Sequence, residues 1–119
     1  HWRHEPCLVG WKDGAAHYWG NDRCQTTVLE FDRPSRSVDH PTMKPVGLLR
    51  RLILNSSKIG DLVYDPFGGS GSSLIAAGDT KRRCAMIEMD PKYCQTIMDR
   101  FKKHTGIKAV PLSPAHHGR

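Results

Sequence analysis

Apolar and polar positions change rhythm near residue 45. Before it, two short β-prone runs, CLVGW at 7–11 and TTVLEF at 26–31, flank the turn-rich KDGAAHYWGND. Residues 1–31 are therefore expected to form short strands and turns. Residues 32–45, DRPSRSVDHPTMKP, hold three prolines among mostly polar side chains and read as a loop. Beyond them Leu48, Leu49, Leu52 and Ile53 recur at helical spacing with Arg50 and Arg51 turned elsewhere, and Pro45 suits a first helical turn. KIGD then turns the chain into a short strand, LVYD, expected to be buried. A glycine turn leads to a helix in SSLIAAGDT, a second strand in RCAMIEM, and a helix capped by Asp90 with Pro91 at its first position. Tyr93, Cys94, Ile97, Met98 and Phe101 form the packing stripe of that helix.

Strand, helix, strand, helix from residue 62 is a βαβ unit with a parallel sheet. The expected class is α/β: half of a Rossmann-like sheet preceded by short N-terminal strands. The ligand-binding unit spans 46–110, and 111–119 reads as a frayed tail.

Composition changes the picture in three ways. The 119 residues suffice for one small domain, and no apolar run approaches the roughly 18 residues of a membrane span. A chain opening at His1 with no signal pattern reads as a fragment of a longer cytoplasmic protein. The net charge of +6 concentrates at Arg50 and Arg51, at 81–83 and at 100–103, which fits a polyanionic partner or solvated helix faces. Cys7, Cys24, Cys84 and Cys94 form no C-x-x-C pair, so free thiols are expected. His1, His4, Cys7, His17 and Cys24 fit no standard zinc spacing, and no metal is expected.

The turn DPFGGSGSS, residues 65–73, carries the candidate chemistry. Glycines between a strand and a helix N-terminus let a ligand lie against bare backbone. No lysine follows in the position a nucleoside triphosphate loop requires. Gly69 and Gly71 give the start of a dinucleotide fingerprint, but Leu74 stands where its third glycine belongs. Asp65 would repel a pyrophosphate and attract an ammonium group. Glu88, 23 residues later at the end of the second strand, can accept both ribose hydroxyls in either ligand class. The pair favours S-adenosylmethionine, with an NAD-binding oxidoreductase fragment as the rival and a non-enzymatic basic nucleic-acid-binding module as a second. A bland reading has Asp65 only capping the next helix.

These stretches resemble the DNA amino-methyltransferases, which methylate adenine N6 or cytosine N4. DPFGGSGSS resembles their motif I, HPTMKPVGLLRRLI at 40–53 their motif X, and MIEMDPKY at 86–93 their motif II. Motif X directly before motif I is the permuted, β-type order. HEPCLVGWKDGAAHYW and EFDRPSRS resemble the stretch preceding motif X in phage and bacterial members.

The resemblance implies an S-adenosylmethionine-dependent fold and a set of cofactor-binding residues. Asp65 with Phe67, Gly68, Gly69, Ser70, Gly71 and Ser72 would hold the methionine part and the adenosine. Glu88 would hold the ribose. Thr42, Lys44 and Pro45 would close from the other side, Lys44 on the carboxylate. The family's catalytic D/N-P-P-Y/F/W motif, which grips a base flipped out of double-stranded DNA, is absent. DPKY at 90–93 lacks the second proline and is explained as a helix start. No catalytic residue is therefore assigned. The expectation is the cofactor-binding C-terminal portion of such an enzyme, inactive without an upstream catalytic portion.

Overall fold

The computed structural model describes residues 3–20, 22, 24–32 and 43–112. Its elements are α1 (Val46–Ser56), β1 (Leu62–Asp65), α2 (Ser72–Asp79), β2 (Arg83–Met86) and α3 (Pro91–Thr105). The strands pair in parallel, Leu62 opposite Arg83 through Asp65 opposite Met86. The chain crosses from one to the other through α2. Both C-terminal strand ends therefore lie at one edge, and the two turns that follow them meet there.

The core forms around α2. Ile75, Ala76 and Ala77 are buried with Ile97 and Phe101 of α3. Gly78 leaves room for the Phe101 ring, since a Cβ there would stand 3.0 Å from it. The expected start of α3 is present: Asp90 accepts a hydrogen bond from the Lys92 amide at 2.8 Å, with Pro91 in the first turn. Its C-terminus carries Lys102, Lys103 and His104, which suit the negative end of the helix dipole, and Gly106 closes it in a left-handed conformation.

Arg82 belongs to this frame rather than to a free cationic surface. Its guanidinium donates to the Ser57 carbonyl at 2.6 Å, the Ser57 hydroxyl at 3.1 Å and the Thr80 carbonyl at 2.5 Å. It thereby joins the end of α1 to the end of α2.

Two expectations need correction. The runs at 7–11 and 26–31 form no strand among the described residues. Among the described residues the sheet contains only β1 and β2, and neither run pairs with an edge of it; Leu8 is 99% exposed. The segment is held to α1 by side chains instead. Gln25 and Asn55 exchange two amide hydrogen bonds, each 2.8 Å, and Arg51 Nε donates to Gln25 at 3.0 Å. The Gly20 amide donates to the Asn55 carbonyl at 2.8 Å. A Cβ on Gly20 would sit 2.7 Å from the Leu54 carbonyl oxygen, so this docking requires glycine. Secondly, β1 is not buried: Leu62 is 56% and Tyr64 60% exposed. A two-stranded sheet leaves part of its surface without a covering layer.

All four cysteines are free, Cys7 and Cys24 exposed, Cys84 and Cys94 partly buried. His17 stacks on Trp11 with ring centroids 4.4 Å apart. No described helix is long and apolar enough to cross a membrane.

Burial, and then the charge of Asp65, push the Cys84 thiol up to about 11 from its ordinary 9.0. The folded chain thus keeps a proton that the unfolded chain releases. The stabilisation is complete below pH 9 and is lost as pH climbs from there to about 11. The difference in Tm between wild type and Cys84→Ala should therefore narrow over that window. At pH 8 a disulfide reagent should titrate Cys7 and Cys24 well before Cys84.

Candidate functional site

The turn between β1 and α2 is shaped by what lies beneath it. A Cβ on Gly68 would stand 3.2 Å from the Ile87 carbonyl oxygen and 3.3 Å from Ile97 Cδ1. Gly71 has φ +79°, and a Cβ there would meet Ile97 Cγ2 at 2.9 Å. These glycines let the backbone rest on α3, and Gly71 also supplies a left-handed turn. The Gly68 amide donates to the Ile87 carbonyl at 2.8 Å, and the Gly71 amide to the Gly68 carbonyl at 2.9 Å.

Carboxylates and a guanidinium complete the turn. Asp65 Oδ1 accepts from the Phe67 amide at 2.9 Å, closing an Asx turn. It does not cap α2, whose capping position is Gly71 and which has no side-chain cap. Glu88 accepts from the Gly69 amide at 2.7 Å with one oxygen and from the Asp90 amide at 2.8 Å with the other. It ties the glycine turn to the turn after β2. Ser70 and Ser72 share a hydroxyl hydrogen bond of 3.1 Å, and Arg100 of α3 donates to the Ser70 carbonyl.

A pocket of about 310 Å³ opens above this turn. Of the residues singled out in the sequence, Lys44, Asp65, Phe67, Gly68, Gly69, Ser70 and Ser72 line it, joined by Leu49 and Ser73. Gly71 lies buried beneath, Glu88 stands behind the turn, and Pro45 precedes α1. Thr42 lies outside the described residues. Lys44 comes from the start of α1 and Asp65 from the end of β1, so one wall offers a cation and another a carboxylate. The N-terminus of α2 has no acidic residue in its first turn and adds partial positive charge. Phe67 is 86% exposed and presents its ring to solvent. A second groove of about 480 Å³ runs between α1 and β1, past Leu52, Ile53, Leu62 and Tyr64.

Arg100, Ile97, Leu49 and Ser73 were not singled out as site residues. Ile97 and Arg100 are three apart on α3, which puts them on one face beneath the turn. That spacing was the available signal, but nothing in the sequence says which face meets the glycines. DPKY plays the part its sequence suggested, with Asp90 and Pro91 starting α3. Cys94, in the first turn of that helix, donates to the Glu88 carbonyl at 3.4 Å. Desolvation, then the charges of Glu88 and Asp90, raise its thiol.

Residues 4–99 match the N6/N4 methyltransferase family model described as DNA methylase. The chain is 36% identical over 113 residues to the DNA adenine methyltransferase YhdJ of Escherichia coli strain K12, covering 89% of the chain and 37% of that protein. It is 40% identical over 68 residues to the type II methyltransferase M2.MboI of Moraxella bovis, covering 57% of the chain and 25% of that protein. The crystal structure of the M1.HpyAVI–SAM complex superposes with a TM-score of 0.65 at 26% identity, covering 81% of the chain and 47% of that structure. The chain thus spans between 25% and 37% of these two curated relatives.

The glycine turn yields a controlled comparison. Gly71→Ala meets both a left-handed backbone and the Ile97 side chain, and should cost about 2–4 kcal/mol. Gly106→Ala has a similar φ, +73°, but nothing within 4 Å of the new Cβ, and should cost only about 1 kcal/mol. Urea unfolding of the two variants beside wild type measures the difference.

Proposed function

The chain belongs to this DNA methylase family, and on that premise we propose that it is the S-adenosylmethionine-binding part of an enzyme that methylates an exocyclic amine in DNA, adenine N6 or cytosine N4. The observation that carries the reading is the meeting of Lys44 and Asp65 in one pocket beside glycine backbone. A cation and a carboxylate on facing walls suit the zwitterionic amino-acid head of that cofactor.

When bound, the cofactor supplies an electrophilic methyl group on its sulfonium. Asp65 would take the α-ammonium, and Lys44 with the α2 N-terminus the carboxylate. Gly68 and Gly69 keep side chains out of the way, and the exposed Phe67 ring offers an apolar face to adenine. Glu88 uses one acceptor site of each oxygen on a backbone amide; its remaining lone pairs suit the ribose hydroxyls. Asp65, on the pocket wall, disfavours the pyrophosphate of NAD.

Methyl transfer also needs an amine aligned with the sulfonium and groups that receive its developing charge. The D-P-P-Y type of motif would supply these, and no residue of this sequence replaces it. In this reading a catalytic portion outside these residues docks beside β1, over the groove and the exposed Leu62 and Tyr64, and presents the flipped base of double-stranded DNA. The Escherichia coli relative is named an adenine methyltransferase, which favours adenine N6. The enzyme would work where DNA is, in the cytoplasm.

Calorimetry with S-adenosyl-homocysteine tests the pocket. Asp65→Ala should weaken binding by about 1.5–3 kcal/mol, the scale of a hydrogen bond to a charged group. NAD should leave the Tm unchanged; a shift with NAD and none with S-adenosyl-homocysteine would overturn the assignment. In a tritiated methyl-transfer assay on mixed-sequence DNA the chain alone should give background counts, with wild type and Tyr93→Ala alike. Turnover abolished by Tyr93→Ala would make DPKY a working catalytic motif.

A further inference from the structure

Lys44 already has a carboxylate partner from within the chain. Its Nζ lies 2.5 Å from Glu5 Oε2, across 39 residues of sequence. Among the described residues on the pocket wall, Lys44 is the only cation. The other charged groups near the turn have fixed duties: Glu88 binds two backbone amides, and Arg100 donates to the Ser70 carbonyl. The pair is open to water, with the Lys44 side chain 53% and the Glu5 side chain 80% exposed. It can therefore exchange partners at little cost, as exposed ion pairs do.

We infer that Glu5 is a specificity-determining residue: it occupies Lys44 as a stand-in for the ligand's carboxylate, so that a carboxylate-bearing ligand must displace it whereas a ligand without one need not. This rests on the assignment of Lys44 to the cofactor carboxylate. Glu5 lowers the advantage of the amino-acid-bearing ligand over a bare adenosine thioether. It also couples occupancy of the pocket to release of the Glu5 side chain from Lys44.

The test is calorimetry with two ligands, S-adenosyl-homocysteine and 5′-methylthioadenosine, which keeps the adenosine thioether but lacks the carboxylate and the ammonium. Glu5→Gln should tighten S-adenosyl-homocysteine binding about two- to fivefold, the size an exposed ion pair carries, and leave 5′-methylthioadenosine unchanged. Lys44→Met should weaken S-adenosyl-homocysteine alone, and adding Glu5→Gln to it should have no further effect. Unchanged or weaker S-adenosyl-homocysteine binding by Glu5→Gln, with Lys44→Met still costing affinity, overturns the role of Glu5 but spares that of Lys44. Affinity unmoved by Lys44→Met overturns both. A wild-type chain that binds neither ligand brings down the cofactor reading itself.

Discussion

The ligand-binding end depends on how closely the turn after β1 approaches α3. Two glycines make that approach possible, and Ile97 fills the space their missing side chains leave. Once the turn rests on the helix, its backbone groups point in fixed directions. One carbonyl meets Arg100, and one amide meets Glu88. The pocket floor is thus main chain held from below by a helix and from the side by a carboxylate. The charged and aromatic side chains on its wall are Lys44, Asp65 and Phe67.

The parallel crossover explains why these parts meet at all. A helix between two parallel strands brings both C-terminal strand ends to one edge. Asp65 and Glu88, 23 residues apart in sequence, thereby come to flank the same glycines. Asp65 ends up facing the pocket, and Glu88 braces the turn with one acceptor site of each oxygen while its other lone pairs stay open to a ligand. Identical chemistry serves two purposes because the backbone amides presented to each differ.

Much of this was legible in advance, for local reasons. The helices announce themselves by apolar spacing, by Pro45 and Pro91 at their starts and by the Asp90 cap. The strand pair follows from short apolar runs separated by a helix. The site residues were legible where a glycine or a charge stood at a strand end. What was not legible depends on distant partners. Whether residues 26–31 form a strand depends on an available sheet edge, and none accepts them here. That Gln25 would find Asn55, Glu5 would find Lys44, and Arg100 would reach the Ser70 carbonyl are facts of tertiary packing without a periodic signature. Arg82 counted as surface charge in the sequence and is a brace in the fold for the same reason.

The two-stranded sheet has a further consequence, in colloidal behaviour. Among the described residues no third strand joins the outer edges of β1 and β2, and the side chains of Leu62 and Tyr64 are exposed there. Such an edge is a template on which another chain can add. The net charge of +6 keeps neighbouring molecules apart, but salt screens that repulsion over about 10 Å at 0.1 M and leaves strand pairing intact. The shelf life of the isolated chain is therefore set by ionic strength as much as by its fold: dilute buffer keeps it dispersed, and added salt favours edge-to-edge association.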